Sequence, residues 1–282
     1  MEKSMPKKQS RARRFFSMVW SKDVHGLASE LSFTFLLTLF PLLVVFVSLL
    51  GLLQDPKTIN LITDQLGRIL PAPIFLPIDK SIENLTNIKN YKILTLSILF
   101  SILSSFSIFG AIIKSLRKIV EPDIPINFGQ SLWLSLRMML GSSLLILVYF
   151  YISYALFHIE KFFYKTGKIS IFRKNPEFFL GIIAIILISS LFSFYYSFST
   201  SKRSSLRDCL PGAFFASILF VALTFGFQYY LKLKTVGVNY SFAYYLLSKM
   251  VVLMLYAYVN STFFLWGFVW NQTRLKKQKQ VD

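Results

Sequence analysis

Six apolar stretches, each wide enough to cross a bilayer, divide this chain. The first, from Leu31 to Leu53, runs 23 residues without a charged side chain. A helix rises about 1.5 Å per residue, so about 20 apolar residues cross the hydrocarbon core. The other five are Ile93–Ile113, Leu132–Phe157, Phe178–Thr200, Pro211–Leu231 and Tyr244–Val269. Backbone polar groups have no water to bond inside lipid, and spans this long satisfy them only as helices. The expected fold is therefore all-α: a polytopic bundle of six transmembrane helices. It follows a basic N-terminal segment, residues 1–27, and precedes a basic tail, residues 272–282; the membrane domain is 28–271.

Composition limits the function classes. Apolar residues are 54% of the chain and charged residues 16%. The net charge of +18 would suggest nucleic acid in a soluble protein. Here Lys and Arg gather in tails and loops, as they do around membrane helices, so no nucleic-acid partner is expected. The lone Cys209 has no intramolecular disulfide partner, and no C-x-x-C pair offers a metal site. The first apolar run is long enough to remain as a spanning helix, so processing as a signal peptide is not expected.

Charge also sets orientation. With six spans both tails share one side, which carries seventeen of the 31 Lys and Arg residues against twelve opposite. The positive-inside rule places both termini in the cytoplasm. On the outer side, Ile59, Ile62, Leu66 and Ile69 recur at helical spacing. Ile78, Ile82, Leu85 and Ile88 do so again after Pro71 and Pro73. Two short amphipathic helices on the outer surface are expected there.

The inventory of reactive groups argues against an enzyme. His25 and His158 are the two histidines and fall on opposite expected sides. No zinc-protease helix, phosphate loop, nucleophile elbow or dinucleotide fingerprint is present. Glu121 and Asp123 flank Pro122, where a solvated turn explains them. Neither a cofactor nor a metal is expected.

The informative residues are charges in or beside the apolar spans, each costing about 2.5–3.5 kcal/mol at a helix centre. Glu30 precedes the first span, Arg137 lies early in the third and Lys249 early in the sixth. One reading turns them to the bundle interior, to hold an anionic headgroup or, for the cations, to pair with Glu30. The other lets Arg137 and Lys249 snorkel to phosphates from near the span ends. Pro41, with Thr38 before it, can kink the first span and free a carbonyl. Asn260, Ser261 and Thr262, with Ser97, Ser101, Ser104, Ser105 and Ser107, offer hydrogen bonds between helices. Trp20, Trp266 and Trp270 suit an aromatic belt at the cytoplasmic interface.

Several segments carry a resemblance. The run ASELSFTFLLTLFPLL from Ala28 resembles the opening of the YihY/BrkB family of bacterial inner-membrane proteins, A-x-x-L-A-Y-x-x-L-L-S-L-x-P-L. Leu31, Leu36, Leu37, Leu39, Pro41 and Leu42 match, while Phe33 replaces the tyrosine. SIFGAIIKSLRKIV resembles the family's second-span exit, and RSSLRDCLPGAFFASILF its fifth-span entry. Tyr256-Ala257-Tyr258 stands where the family has an aromatic pair, and Gly267 matches its closing glycine. The closing G-A-E reads Gly267-Phe268-Val269 here, so its acidic residue is missing. Glu30 and Lys249 occupy places where small or apolar residues are usual.

The resemblance implies a six-span inner-membrane protein with cytoplasmic ends. Some members are associated with envelope-lipid export or serum resistance, which implies a transporter or flippase-like protein for a lipid or other amphipathic, anionic envelope component. The alternative is a non-transporting scaffold or envelope-maintenance protein whose basic tails bind anionic lipid or a partner. Expected partners are membrane lipids, anionic ones included, and a second copy or another envelope protein. An older label for such proteins, ribonuclease BN, implies RNA cleavage, for which these residues supply no acid/base or metal set.

Overall fold

The structure is a computed structural model that describes residues 10–53, 63–64, 91–121, 127–165, 176–199, 204–233 and 242–278. Seven helices occupy these segments: α1 Arg11–Ser21, α2 Val24–Leu53, α3 Tyr91–Val120, α4 Phe128–Lys165, α5 Pro176–Ser199, α6 Leu206–Leu233 and α7 Phe242–Gln278. No strand occurs among the described residues. Even the 24 residues of α5 reach about 36 Å, more than the hydrocarbon core requires.

Four stretches among the described residues are long and apolar enough to cross a membrane: Ile98–Val120, Gly181–Phe198, Leu206–Phe227 and Met250–Leu275. The first and third expected spans fall within α2 and α4, helices of 30 and 38 residues. The expected outer amphipathic segments lie outside the described residues, apart from Thr63 and Asp64.

Two boundaries differ from expectation in an informative way. The second span does not stop at Ile113: α3 continues through Lys114, Arg117 and Lys118 to Val120, so these cations ride on the last turns of the helix. The fifth does not begin at Pro211. Its helix starts at Leu206, with Asp208 in the first turn, and Pro211 lies inside it. Pro211 is the sixth residue of this helix, past the first turn, so the N–H it lacks leaves the Arg207 carbonyl without its i→i−4 donor.

The N-terminal segment is itself organised. Ser10 caps α1, its hydroxyl accepting from the Arg13 N–H at 3.4 Å. A two-residue corner, Lys22–Asp23, then turns the chain into α2. Asp23 adopts a left-handed conformation (φ 47°), and its carboxylate accepts from the Gly26 N–H at 3.2 Å. Asparagine and aspartate tolerate that region better than most residues, and the carboxylate satisfies a first-turn donor of α2.

Among the described residues, buried side chains gather at the end of the bundle where α1 lies. Buried there are Phe15 and Val19 of α1, Val24, Leu27, Ala28 and Leu31 of α2, and Ile113, Leu116 and Ile119 of α3. Tyr195 and Tyr196 of α5, Ala213 and Ala216 of α6, and Leu265, Phe268 and Val269 of α7 complete it. Towards the other end, α3 exposes Leu96, Ile98, Leu99, Phe100, Ile102 and Leu103. A soluble protein rarely exposes such a patch, whereas lipid covers it without cost.

Candidate functional site

Polar groups inside an apolar bundle must find partners or lose several kcal/mol, so their contacts map what the fold has built. Most hydroxyls turn back onto their own helix. Ser142 bonds the Met138 carbonyl, Ser189 that of Ile185, Ser217 that of Ala213 and Thr262 that of Tyr258. The carbonyl four residues earlier is the acceptor in each case. Of the residues expected to bridge helices, Asn260 bonds its own helix at the Tyr256 carbonyl. Ser104 contributes its backbone carbonyl, which accepts from the Thr38 hydroxyl at 3.1 Å across the α2–α3 crossing.

Contacts between helices depart from this local bonding, Ser142 with Tyr195 and Thr224 with Tyr256 among them, and three places stand out. The first joins α6 to α7. A Cβ added to Gly212 would fall onto the Gly267 carbonyl oxygen, and one on Gly267 would lie 2.5 Å from the Gly212 carbonyl oxygen. Backbone therefore rests on backbone, which only glycine permits. Asn271 braces the crossing: its Oδ1 accepts from the Gly212 N–H and its Nδ2 donates to the Cys209 carbonyl, both at 2.7 Å. Tyr196 of α5 adds a third helix, its hydroxyl donating to the Phe264 carbonyl.

The second place joins α2 to α3. Lys114 Nζ lies 2.6 Å from Glu30 Oε1, with both side chains part-exposed (54% and 37%). Glu30 is thus paired with a cation one helix away rather than with Arg137. Arg137 is exposed on α4 and lies over the Trp133 ring, 5.0 Å from its centroid, an i, i+4 cation–π contact. The structure does not bring Arg137 to Glu30. The side chains of Lys249 and Pro41 lie outside the described residues, although α7 and α2 run through both positions.

The third place is an aromatic cap where α1 meets α7. Phe15 packs edge-on against Trp266 and Trp270. His25 Nδ1 lies 3.2 Å from the Tyr258 hydroxyl, and its ring stands edge-on to both Trp20 and Trp266. All three tryptophans of the expected belt therefore share one end of the molecule. His158 has a side chain outside the described residues.

Sequence reasoning missed Lys114 and Asn271 as partners. Lys114 lies just past the expected second span, which ends at Ile113, whereas α3 carries it on a bundle helix. Asn271 is the last residue of the expected membrane domain, and nothing local marks its link to residues 59 and 62 positions away. Among the described residues no three His, Cys, Asp or Glu side chains gather as metal ligands.

Comparison with known proteins agrees with this architecture. The chain is 24% identical over 278 residues to the ribonuclease-like protein YfkH of Bacillus subtilis (strain 168), covering 96% of this chain and 97% of that protein. No solved structure matches it. The family described as virulence factor BrkB matches residues 15–282, nearly the whole chain. With its apolar helices, that match makes this a multi-pass integral membrane protein, and the chain belongs to the BrkB family.

Proposed function

We propose that this protein is a transporter or flippase-like protein for a lipid or other amphipathic, anionic envelope component. In this reading it resides in the bacterial inner membrane with both termini cytoplasmic, as the bias of Lys and Arg towards the tail side supports. The observation that carries the reading is the Glu30–Lys114 pair. It joins two apolar helices at a half-exposed position, where an apolar pair would be cheaper. An exposed ion pair adds little to stability, so its placement between two apolar helices points to a use. An anionic headgroup can take the Lys114 ammonium from Glu30 and return it on release. Charges exchange without either being stranded in lipid. Arg137, held over Trp133 on the lipid-facing side of α4, offers a second cation to an approaching headgroup.

The test is movement of a labelled anionic lipid across proteoliposomes carrying the full chain. Lys114→Leu removes one charge-assisted contact and lowers the rate about tenfold, the equivalent of about 1.4 kcal/mol. Arg137→Leu and Lys249→Leu lower it less. Unchanged transport in Lys114→Leu removes the exchange from the mechanism. Unchanged transport in the other two removes them as headgroup contacts. The name of the Bacillus relative makes RNA cleavage the competing activity. In this chain His25 is engaged by Tyr258, and Cys209 is buried in the bundle. Purified protein should leave RNA intact.

A further inference from the structure

Helix α1 has three distinct sides. At about 100° per residue, Phe15, Met18 and Val19 share one side. Phe15 and Val19 are buried, and Met18 packs against the same core. Roughly a third of a turn away lie Phe16 and Trp20, which are 66% and 81% exposed, with the exposed Arg13 beside them at i−3 and i−7. The remaining third carries Ser17 and Ser21, both exposed. An ordinary surface helix has two sides, one for the core and one for water. A helix with a protein side, an aromatic side and a hydroxyl side fits a place with three surroundings.

That place exists where membrane helices emerge. The corner Lys22–Asp23 leaves only two residues between α1 and α2, so α1 starts where the bundle's apolar stretch ends. Its protein side is fixed by Phe15 against Trp266 and Trp270 of α7. The exposed Phe16 and Trp20 then project beside the bundle. Large rings with an apolar body, one of them carrying an N–H, partition to the headgroup level of a bilayer. Charge selects the kind of bilayer. The first 22 residues hold seven Lys and Arg against one acidic residue, Glu2. Each basic residue near a negative leaflet contributes about 1 kcal/mol.

We propose that α1 is an in-plane membrane helix that seats Phe16 and Trp20 among the headgroups of an anionic leaflet while Phe15 and Val19 hold it to the bundle. The helix ties leaflet to bundle at the α2 and α7 ends, and it does so whether or not the protein transports anything. Neither residue needs a protein partner, because the leaflet already surrounds the helices α1 is packed on.

The full chain is reconstituted in vesicles of phosphatidylglycerol and phosphatidylcholine, the latter brominated near the headgroup end of its acyl chains. The fluorescence difference between wild type and Trp20→Phe isolates Trp20. Its contribution is expected to be quenched by the brominated lipid and shielded from acrylamide, and the shielding to weaken when phosphatidylglycerol is replaced by phosphatidylcholine. Quenching by acrylamide with no effect of bromine places Trp20 in water and overturns the proposal. Shielding from both quenchers means that a second copy or another protein covers the ring, and overturns it equally. Equal shielding in both vesicles overturns the choice of an anionic leaflet. A readout free of tryptophan uses nitroxides at Phe16→Cys and Ser17→Cys in a Cys209→Ala background. The label at 16 should collide with oxygen and the label at 17 with an aqueous nickel reagent, and equal collision profiles overturn the three-sided placement.

Discussion

The α6–α7 and α2–α3 crossings solve the same problem, joining helices in a solvent that gives no hydrophobic push, in opposite ways. Lipid tails are as apolar as leucine, so association must come from close packing or polar contact. At α6–α7 the side chains are removed: Gly212 faces Gly267, with Ala216 beside it, and Asn271 bonds directly to backbone. Every group there is buried, and each bond is made within the contact. At α2–α3 the side chains are kept and charged, and Glu30 and Lys114 meet where both still reach the surroundings. The first contact has one arrangement. The second has a partner that can be replaced. In the proposed reading, the region nearest α7 is the fixed frame and the flank nearest α3 the part that answers a ligand.

The strongest way to break this contrast is to thicken the close crossing. Gly267→Leu drives a side chain towards the Gly212 carbonyl, the Ala216 Cβ at 2.7 Å and the Tyr196 hydroxyl at 2.7 Å. Backbone cannot yield as a flexible side chain can, so the cost exceeds the about 1–3 kcal/mol of ordinary overpacking. Loss of monodisperse protein after detergent extraction is the expected result. A variant that stays monodisperse and melts like wild type shows that the crossing is not rigid. Next in size is Asn271→Leu, which leaves the Gly212 N–H and Cys209 carbonyl without their bracing amide. One buried unmatched group costs about 1–3 kcal/mol, so the melting temperature in detergent falls clearly while the protein still assembles. Tyr196→Phe is smaller again. The Phe264 carbonyl loses its hydroxyl partner but no ring contact, and about 1 kcal/mol is expected from the same melts.

These expectations also mark what could be read in the sequence. The four membrane-crossing stretches among the described residues were legible because lipid forces one answer on a long apolar run, whatever the neighbours do. Glu30 was legible as a charge that needed a reason. Its partner was not, because pairing depends on the phase of α3, and the expected second span stops one residue short of Lys114. Pro211-Gly212 was recognisable only as the entry to the expected fifth span. Its role as the floor of a helix crossing depends on Gly267 and Asn271, which sit more than 50 residues away. α1 was legible only as a basic segment. Which of its rings is buried and which exposed turns on neighbouring side chains of α7, and Phe15 and Phe16 look alike in the sequence.

The smallest expected effect bears most directly on the comparison. Glu30→Gln keeps the size and a hydrogen-bonding oxygen but removes the charge opposite Lys114. Because the pair is part-exposed, the stability change should stay within about 1 kcal/mol, and thermal melts will barely register it. The double variant with Lys114→Leu isolates the interaction: if the pair is weak, the two single changes add within about 0.5 kcal/mol. The transport rate should not add in the same way. Glu30→Gln leaves Lys114 without a competing carboxylate, so an anionic headgroup binds more readily and leaves more slowly; Lys114→Leu removes the site, and the double variant should transport no better than Lys114→Leu alone. Additive stability with non-additive transport would separate the adjustable flank from the fixed frame. A stability coupling as large as the loss in Asn271→Leu would mean that Glu30 and Lys114 also serve as frame, and the contrast between the two crossings would fail.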